Sequence, residues 1–594
     1  MAVLAARPVA AQINDAFVPL ADEAAAALAK GATLDDLKRA LDAPGGLVPL
    51  GEHGALAIDV AEAVRRRLQE LDREEWTARM PSGAPGTPGA ARAELAAADR
   101  ALERGAFETA RAWLHALADE PALADARARR LAWLAERKER GAAPPAATRL
   151  GLVARHALDD PESRRTAARF VAPGKGQRPG LALLDDGRVA VQSASLVTLF
   201  TRGAAGFAPS HRIDLLASVD EHFINTSLPF AAPGAPGWPL EPAAQGARLV
   251  AVQGRMRLPE EPNALVAIDL PRAAAWRPRA DAAPLMAERT PLAWARAGDR
   301  RLVDGRPVAD PALVELAQAE FQAGPVIVDD LVVVQARTYG GAVEAWLAAF
   351  RLEDGAVVWL RRLARGSDRV DNQSRFAETA RLASGALTVH DGLVLVPTHL
   401  GTLSLVRAAD GRVLWTARVP RRGVDAAGGD GGRPLVVDGE ALWAPSDAEQ
   451  RFRFDFPWPS ADAGFVGTPL DGDFALIGAA PSGVWTLGRS GRSQTVRWRG
   501  PTGRVDALHL DPAEEFRGRP ALTPNRLVAA TDRGLYLFDL ERELYLLDFE
   551  PFAERSGSGR SAGGTAGGDV HVTDGDVLCL ERDALVHARL ESTE

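Results

Sequence analysis

The chain from Gly385 to Pro420 alternates short apolar runs with turn residues, a pattern that predicts one four-stranded antiparallel unit. Asp-Gly pairs such as Asp391-Gly392 separate the runs, and they favour hairpins because Gly adopts positive φ without a Cβ clash. The segment from Gly324 to Leu363 repeats the unit. Asp354–Trp359 and Asp410–Trp415 both read Asp-Gly-x-Val-aliphatic-Trp, and the two motifs start 410 − 354 = 56 residues apart. Four short strands cannot bury both of their faces, so the repeat predicts the stacked sheets of a β-propeller.

Turn signals followed by β-rich runs recur along the chain and mark candidate blade openings. They are Asp185-Asp186-Gly187, Gln245-Gly246, Asp329-Asp330, Asp391-Gly392, Asp438-Gly439, Asp471-Gly472, Pro524-Asn525 and Asp574-Gly575. We therefore predict a mainly β fold, a seven- to eight-bladed β-propeller spanning residues 146–594, with a helix in the insertion 278–323. The last unit stops at Glu594 with hardly a fourth strand. Because a closed ring hides its strand edges, we expect a strand from elsewhere, such as Ala168–Val171, to complete it.

Residues 13–145 follow a helical period and predict a smaller all-α N-terminal region. Leu47–Gly51 interrupts it as a short extended piece, and Pro81–Gly89 has the composition of a linker. Residues 92–118 resemble a tetratricopeptide-like helical hairpin, although a generic amphipathic hairpin fits equally well. Residues 1–12 read as the remnant of an export signal, since small residues precede Gln12 but the basic start and the long apolar core are missing.

Composition excludes several classes of protein. The formal net charge of −9 and the sequence pI near 5.7 argue against a surface for nucleic acid, which needs clustered Lys and Arg. No apolar stretch reaches the length of a membrane span, so no membrane-spanning segment is predicted. Cys579 is the only cysteine. One chain therefore forms no internal disulfide, zinc–cysteine site or iron–sulfur site.

The repeats resemble the quinoprotein-type, PQQ-binding-like β-propeller proteins, whose blades end in Ala-x-Asp-x-x-Thr-Gly-x-x-x-Trp. Ala348–Trp359 and Leu405–Trp415 match that signature in degenerate form, and the resemblance covers roughly residues 171–594. The layout is similar to bacterial exported proteins in which a helical, tetratricopeptide-like region precedes the propeller. In the family's dehydrogenases the resemblance implies pyrroloquinoline quinone with calcium, and in some an adjacent-cysteine disulfide. This chain lacks those cysteines, a Cys-x-x-Cys-His haem motif and a recognisable calcium set.

Each residue that suggested chemistry also has a structural interpretation. Trp359 and Trp415 suit a flat cofactor, but in such propellers they more often lock neighbouring blades. The pairs Asp185-Asp186 and Asp329-Asp330 suit calcium, but they occupy turn positions. His390 and His399 suit a metal or acid–base site, but no third ligand is legible. The glycine-rich stretches Ala172–Gly176 and Ser556–Gly568 lack the Gly-Lys-Ser/Thr spacing of a phosphate loop. We therefore predict no catalytic, cofactor-binding or metal-binding residue, and no cofactor.

The resemblance to the non-catalytic branch of the family implies a protein scaffold. Our leading hypothesis is a non-enzymatic propeller for protein–protein interaction in the bacterial cell envelope, periplasmic or otherwise exported, with other proteins as partners. The alternative is a quinoprotein-like dehydrogenase, or a ligand- or glycan-binding propeller with a site in the central channel. Binding loops are expected on one face of the ring, since rigid blades tolerate loop variation there.

Overall fold

The computed structural model describes Val48–Pro49, a few single helical residues between 95 and 132, and residues 149–591 with gaps. The longest gaps are 159–177, 215–238, 253–262, 276–290, 368–384, 419–433, 456–467 and 553–567. Strands make up most of the described residues. The only α-helix with defined bounds among them is α1 (Leu270–Ala275), and a 3₁₀ helix spans Pro311–Leu316. Within the described part of the chain, no helix has the length and apolar character needed to cross a membrane.

The strands form eight sheets, which we number I to VIII in chain order. Sheets I to IV contain strands β3 to β21. β1 (Val48–Pro49) adds to sheet III, and β2 (Arg149–Ala157) belongs to sheet VIII. Sheet I holds β3 (Arg178–Leu183), β4 (Val189–Ser193), β5 (Leu196–Gly203), β6 (Gly206–Asp214) and β7 (Pro239–Leu240). Sheet II holds β8 (Ala243–Gln245), β9 (Arg248–Val252), β10 (Ala264–Asp269), β11 (Leu292–Ala297), β12 (Arg300–Val303) and β13 (Arg306–Ala309). Sheet III holds β14 (Glu320–Val328), β15 (Leu331–Tyr339), β16 (Val343–Arg351) and β17 (Val357–Ser367), and sheet IV holds β18 (Thr388–His390), β19 (Leu393–Pro397), β20 (Thr402–Arg407) and β21 (Arg412–Arg418).

The remaining sheets continue the pattern. Sheet V holds β22 (Leu435–Val437), β23 (Glu440–Trp443), β24 (Arg451–Asp455) and β25 (Thr468–Leu470). Sheet VI holds β26 (Asp473–Ala480), β27 (Gly483–Ser490), β28 (Ser493–Gly500) and β29 (Gly503–His509), and sheet VII holds β30 (Ala521–Leu522), β31 (Arg526–Ala530), β32 (Gly534–Asp539) and β33 (Tyr545–Pro551). Sheet VIII holds β34 (Asp569–Thr573), β35 (Asp576–Leu580), β36 (Ala584–Glu591) and β2. Each is built on an antiparallel meander, and the short strands β1 and β7 pair in parallel with β17 and β3.

Apolar clusters fill the spaces between successive sheets. Sheet I packs on sheet II through Leu199 and Val266, sheet II on sheet III through Leu265 and Phe350, and sheet III on sheet IV by a cluster of the same kind. Further clusters join sheets VI to VII, VII to VIII, and VIII back to I. The first strands of neighbouring sheets also contact one another, as β26 contacts β22 and β30. The sheets thus follow one another in a ring, an arrangement consistent with a β-propeller.

Sheet VIII closes this ring with strands from both ends of the described part of the chain. Its outer strand β2 pairs antiparallel with β36, and Arg149 lies opposite Glu591. A closing strand from elsewhere in the chain was expected; β2 takes that position, while the predicted candidate, Ala168–Val171, lies outside the described residues. β2 begins Arg-Leu-Gly-Leu-Val, but the polar Arg155 and His156 near its end obscured its β character in the sequence.

The turn signals predicted the sheet openings with one exception. Seven of them fall between the first and second strands of a sheet, whereas Asp471-Gly472 lies between β25 and β26 and links two sheets. In sheet VI the first and second strands, β26 and β27, are separated by residues 481–482, where no turn signal was predicted. In the insertion 278–323, residues 278–290 lie outside the described residues, and the described remainder forms β11, β12, β13, the short 3₁₀ helix and the start of β14; the predicted helix is matched there only by that 3₁₀ helix.

Most of the predicted helical region 13–145 lies outside the described residues. Leu95, Ala98 and Leu114 of the predicted hairpin are helical, and Ala98 and Leu114 are fully buried. The tetratricopeptide-like hairpin therefore stays a prediction, as do the export-signal remnant and the boundary near residue 146. The short extended piece predicted at Leu47–Gly51 contains β1.

The ring has two unlike faces. One face, which we call the turn face, carries tight turns such as those of Asp185–Gly187 and Asp354–Gly355. The opposite face, which we call the connector face, carries the links between successive sheets, because each meander ends at the side where the next begins. The longest links are 158–177, 368–387, 419–434 and 552–568, and segment 215–238, from β6 to β7 within sheet I, begins on the same face. Long loops supported by rigid strands are common sites of binding.

Candidate functional site

Tryptophans dock onto the turn-face glycines of the next sheet. Trp359 of sheet III donates its indole N–H to the Ala408 carbonyl of sheet IV over 2.8 Å. A Cβ added to Gly411 would lie 2.5 Å from the Trp359 ring, so only glycine fits there. The predicted structural role of Trp359, a lock between neighbouring sheets, is therefore confirmed. The side chain of Trp415 lies outside the described residues.

Sequence inspection missed a second lock of the same kind. Trp294 of sheet II donates to the Leu352 carbonyl of sheet III over 2.9 Å, and its ring covers Gly355. An arginine two residues after each tryptophan adds a further bond. Arg361 donates to the Gly411 carbonyl over 2.9 Å, and the buried Arg296 donates to the Gly355 carbonyl. The shared signal is Trp-x-Arg on the fourth strand of the sheet, which positions both side chains toward the following sheet.

The aspartate pairs act within turns. Asp185 accepts a hydrogen bond from the Gly246 N–H of sheet II over 2.7 Å. Asp186 accepts from the Arg188 backbone and guanidinium, and the bond to the Arg188 side chain contributes most to lowering the pKa of Asp186. Asp329 adopts φ 54°, the left-handed conformation that Asp tolerates in turns. Among the described residues, no group of three or more His, Cys, Asp or Glu side chains is placed to hold a metal ion.

The two candidate histidines do not form a common site in the described structure. His390 ends β18 on the turn face, where it lies 3.4 Å from the Asp391 carboxylate. His399 lies outside the described residues, and its neighbour Thr398 is separated from His390 by the length of β19. The glycine-rich stretches 172–176 and 556–567 also lie outside them. Cys579 is buried, and that burial raises the pKa of its thiol, which makes it unreactive.

Buried polar side chains join the sheets near the connector face. Gln192 donates to the Val252 carbonyl over 2.6 Å, and Gln335 donates to the Gly385 carbonyl over 2.9 Å. Both follow a run of buried β residues at equivalent points of the second strand in sheets I and III. These bonds hold the backbone at Val252, the end of β9, and at Gly385, just before β18. A polar residue directly after an apolar second strand is the sequence signal that identifies this position.

The hub, where the first strands of the sheets converge, is crossed at the connector face by ion pairs. Arg519, just before β30 of sheet VII, contacts the carboxylate of Glu241, which lies between β7 and β8. The same guanidinium lies 2.9 Å from Asp569 at the start of β34, and the Arg519 N–H donates to Asp569 over 2.8 Å. The Glu241 carbonyl also approaches Gly324 of sheet III so closely that a Cβ on Gly324 would clash with it. We call Glu241, Arg519 and Asp569 the hub bridge.

One titratable side chain adjoins the hub bridge. His571 stands on β34, two residues after Asp569, and is only partly exposed to solvent. Burial lowers the pKa of His571 to about 4, with Asp569 acting to raise it and Arg519 to lower it. With that lowered pKa the imidazole is neutral at physiological pH. β34 is the first strand of sheet VIII, so His571 stands on one of the strands that converge at the hub.

A different polar pair lies between sheets VIII and I. The His587 and Asp576 side chains are fully buried, and the Nε2 atom of His587 lies 2.9 Å from Oδ1 of Asp576. Arg202 of sheet I lies 2.6 Å from the other carboxylate oxygen of Asp576. A Cβ on Gly206 would lie 2.7 Å from the His587 ring, which leaves no room there for a substrate. The pair therefore joins the last sheet to the first.

Comparisons with known proteins give structural likenesses only. No protein-family model and no curated protein sequence matches the chain. Among solved structures, the chain is similar to BamB from Moraxella catarrhalis, with 14% identity over 74% of this chain and 99% of that chain, at a TM-score of 0.42. It is similar to a europium-containing methanol dehydrogenase, with 12% identity over 72% and 84% at 0.41. It is also similar to the quinohemoprotein alcohol dehydrogenase ADHIIG from Pseudomonas putida HK5, with 12% identity over 76% and 78% at 0.41.

Proposed function

We propose that the chain is an eight-bladed propeller that acts as a non-enzymatic scaffold for protein–protein interaction in the bacterial cell envelope. Partner proteins bind loops of its connector face and the predicted helical region 13–145. The envelope location is inferred from the resemblance to exported propeller proteins of the quinoprotein type. The eight sheets and their succession in a ring support the blade number.

The hub bridge carries this proposal. Propeller ligand sites commonly lie at the hub, where loops and inner strands converge. Here Glu241 and Asp569 both engage Arg519, so the charges at the connector-face mouth of the hub satisfy one another within the chain. Binding capacity is then left to the long connectors around that mouth. Long connections on a rigid scaffold are common binding sites for protein partners.

Photo-crosslinking tests this function. A photoreactive amino acid replaces Asp511, which is exposed on the connector face, and in a matched variant replaces Glu353, which is exposed on the turn face. In cells, the Asp511 variant is expected to crosslink to one recurring protein and the Glu353 variant to none. Equal crosslinking from both faces, or none from several connector positions, would contradict the proposal.

A second candidate, a ligand-binding central channel, is favoured by the position of His571. A neutral imidazole on a strand at the hub is a suitable polar contact for a small molecule. The probe is pyrroloquinoline quinone added with calcium ions to the purified chain. A shift of the His571 imidazole NMR signal, or dye reduction with alcohols or sugars, would support this candidate against the scaffold. Unchanged spectra and no dye reduction are the scaffold's expected result.

A further inference from the structure

An exposed apolar ridge lies on the rim of the ring where sheets II and III meet. It consists of Val308 on β13 and of Pro311, Ala312 and Val314 on the 3₁₀ helix that follows. Val308 is 49% exposed and Val314 is 62% exposed, which are high values for aliphatic side chains in a folded chain. Exposed apolar surface of this kind commonly marks a site where another segment packs.

Local structure holds the ridge in place. β13 runs directly into the 3₁₀ helix, which Asp310 caps by accepting a hydrogen bond from the Ala312 N–H over 3.2 Å. Leu313 and Leu316 of this helix are fully buried in the cluster between sheets II and III. Burial of those two leucines leaves Val314 on the outer side, so the ridge is a fixed surface of the ring.

A strand of the N-terminal region is already paired beside the ridge. In β1, Val48 and Pro49 pair in parallel with Gly366 and Ser367 at the end of β17, the fourth strand of sheet III. The 3₁₀ helix that carries the ridge contacts the same strand, β17. Because the pairing is parallel, the residues that precede Val48 approach it from the direction of the start of β17. The chain upstream of β1 therefore lies close to the ridge.

The sequence upstream of β1 predicts a short amphipathic helix. Thr33 is a suitable N-cap, and Pro44-Gly45-Gly46 ends the helical pattern. Leu34, Leu37 and Leu41 follow the i, i+3, i+7 spacing of a single helix face, and the charged residues between them lie off that face. A helix this short is marginal in water unless its apolar face is covered. Residues 33–47 lie outside the described residues, so this helix is a prediction from the sequence.

Chain length limits the surfaces that this helix can reach. Asp42 at its end and Val48 are 48 − 42 = 6 residues apart. Extended chain of that length spans at most about 22 Å, so the helix must end near β17. The ridge is within reach because the 3₁₀ helix contacts β17, and Val358, which is 44% exposed, lies on β17 itself. The other exposed large apolar side chains of the described part are at the hub or on sheets VII and VIII across the ring: Leu183, Leu152, Val153, Leu546 and Phe549.

We propose that the predicted helix 34–42 docks its leucine face on the ridge and, with β1, anchors the N-terminal region to the rim of sheets II and III. The chain's own segment is the occupant because its tether to β1 gives it a high effective concentration at the ridge, which a second copy of the chain lacks. The predicted helical region 13–145 is then held at two places, by β1 on sheet III and by β2 on sheet VIII. This inference goes beyond the scaffold function and does not depend on whether a partner binds.

Cysteine crosslinking in the full chain tests the docking. The double variant L37C/V314C places one thiol on the leucine face and one on the ridge, and a short thiol crosslinker should join them within one chain, as shown by mass spectrometry of the linked peptides. The native Cys579 is buried and does not compete. R39C/V314C is the matched control, since Arg39 lies on the opposite side of the predicted helix and should crosslink at least about tenfold less. L37C/L546C, with the second thiol on sheet VII, should give no crosslink.

Limited trypsin digestion gives a readout that needs no engineered cysteine. Lys38 and Arg39 lie inside the predicted helix, so docking should protect the bonds after them. V314D should raise the cleavage rate there about tenfold, the effect of losing one buried valine. L546D, at a leucine that is 43% exposed, is the control and should leave the rate unchanged. Both positions are exposed, so folding should survive, which circular dichroism checks.

The outcomes separate the possible occupants of the ridge. Equal crosslinking of L37C/V314C and R39C/V314C, a crosslink in L37C/L546C, or equal trypsin cleavage of the parent and V314D would overturn the inference. Crosslinks that join two chains would identify a second copy as the occupant and would also overturn it. Photo-crosslinking from Asp511 to a partner is independent of these results, so failure of the docking would leave the scaffold function intact.

Discussion

The joint between sheets III and IV and the joint between sheets VIII and I solve the same packing problem with different chemistry. At the first, Trp359 covers Gly411 and donates to a backbone carbonyl, and the surroundings are aliphatic. At the second, the buried His587–Asp576 pair reaches across to Arg202. A joint between repeats can reuse a repeated motif. The closing joint brings together strands of unrelated sequence, so it depends on a polar contact that specifies its partner.

The largest expected effect is at the closing joint. Asp576→Ala leaves His587 buried without its carboxylate and Arg202 without its ion pair, so the free energy of unfolding should fall by about 3–5 kcal/mol. The matched control is Asp186→Ala, because Asp186 forms an exposed pair with Arg188. That change should cost less than about 1 kcal/mol. Denaturant unfolding measures both, and similar losses would remove the distinction between the joints.

Gly411→Ala probes the repeat joint. The added Cβ would press on the Trp359 ring, and Gly411 has φ +69°, so we expect a loss of about 3 kcal/mol from overpacking and backbone strain together. Gly187→Ala is the control, since Gly187 has φ +79° with nothing within 4 Å of its added Cβ. The control should lose about 1 kcal/mol. Equal losses would show that the tryptophan contact contributes nothing beyond the backbone conformation.

His571, which adjoins the hub bridge, gives a prediction of how stability depends on pH. The folded pKa of His571, about 4, lies below its ordinary value of 6.5. As pH falls from about 6.5 to 4, the unfolded chain takes up a proton that the folded chain does not. Stability should therefore decrease over that range, by about 2–3 kcal/mol from this residue, and level off below it. In His571→Gln this part of the decrease should vanish; an identical pH profile for variant and parent would refute the assignment.

The smallest effect concerns the indole hydrogen bond. Trp359→Phe removes the donor to the Ala408 carbonyl and keeps most of the ring, so a loss of about 1–2 kcal/mol is expected. Trp294→Phe removes the equivalent bond between sheets II and III and should cost a similar amount. The paired thermal or denaturant measurements test whether the two repeat joints are equivalent, and a several-fold difference between them would show that they are not.

The contrast also explains which features were predictable. Asp-Gly turns and the spaced Trp359 and Trp415 revealed the sheets, because local turn chemistry and repetition are properties of short segments. β2 was missed because its closing role depends on β36, more than 400 residues away along the chain. The hub bridge was invisible for the same reason, since Arg519 and Glu241 are 278 residues apart. Nothing local in either segment indicates its partner.

Ring closure by β2 is the claim on which the faces, the hub and the closing joint all depend. It is tested by the double variant R149C/E591C, since these exposed residues lie opposite each other in β2 and β36. Paired Cα atoms on adjacent strands are close enough for a disulfide. Mild oxidation should crosslink this variant, whereas A157C/E591C, displaced by eight residues or about 26 Å along β2, should stay uncrosslinked. A crosslink in the second variant, or none in the first, would contradict the closed ring.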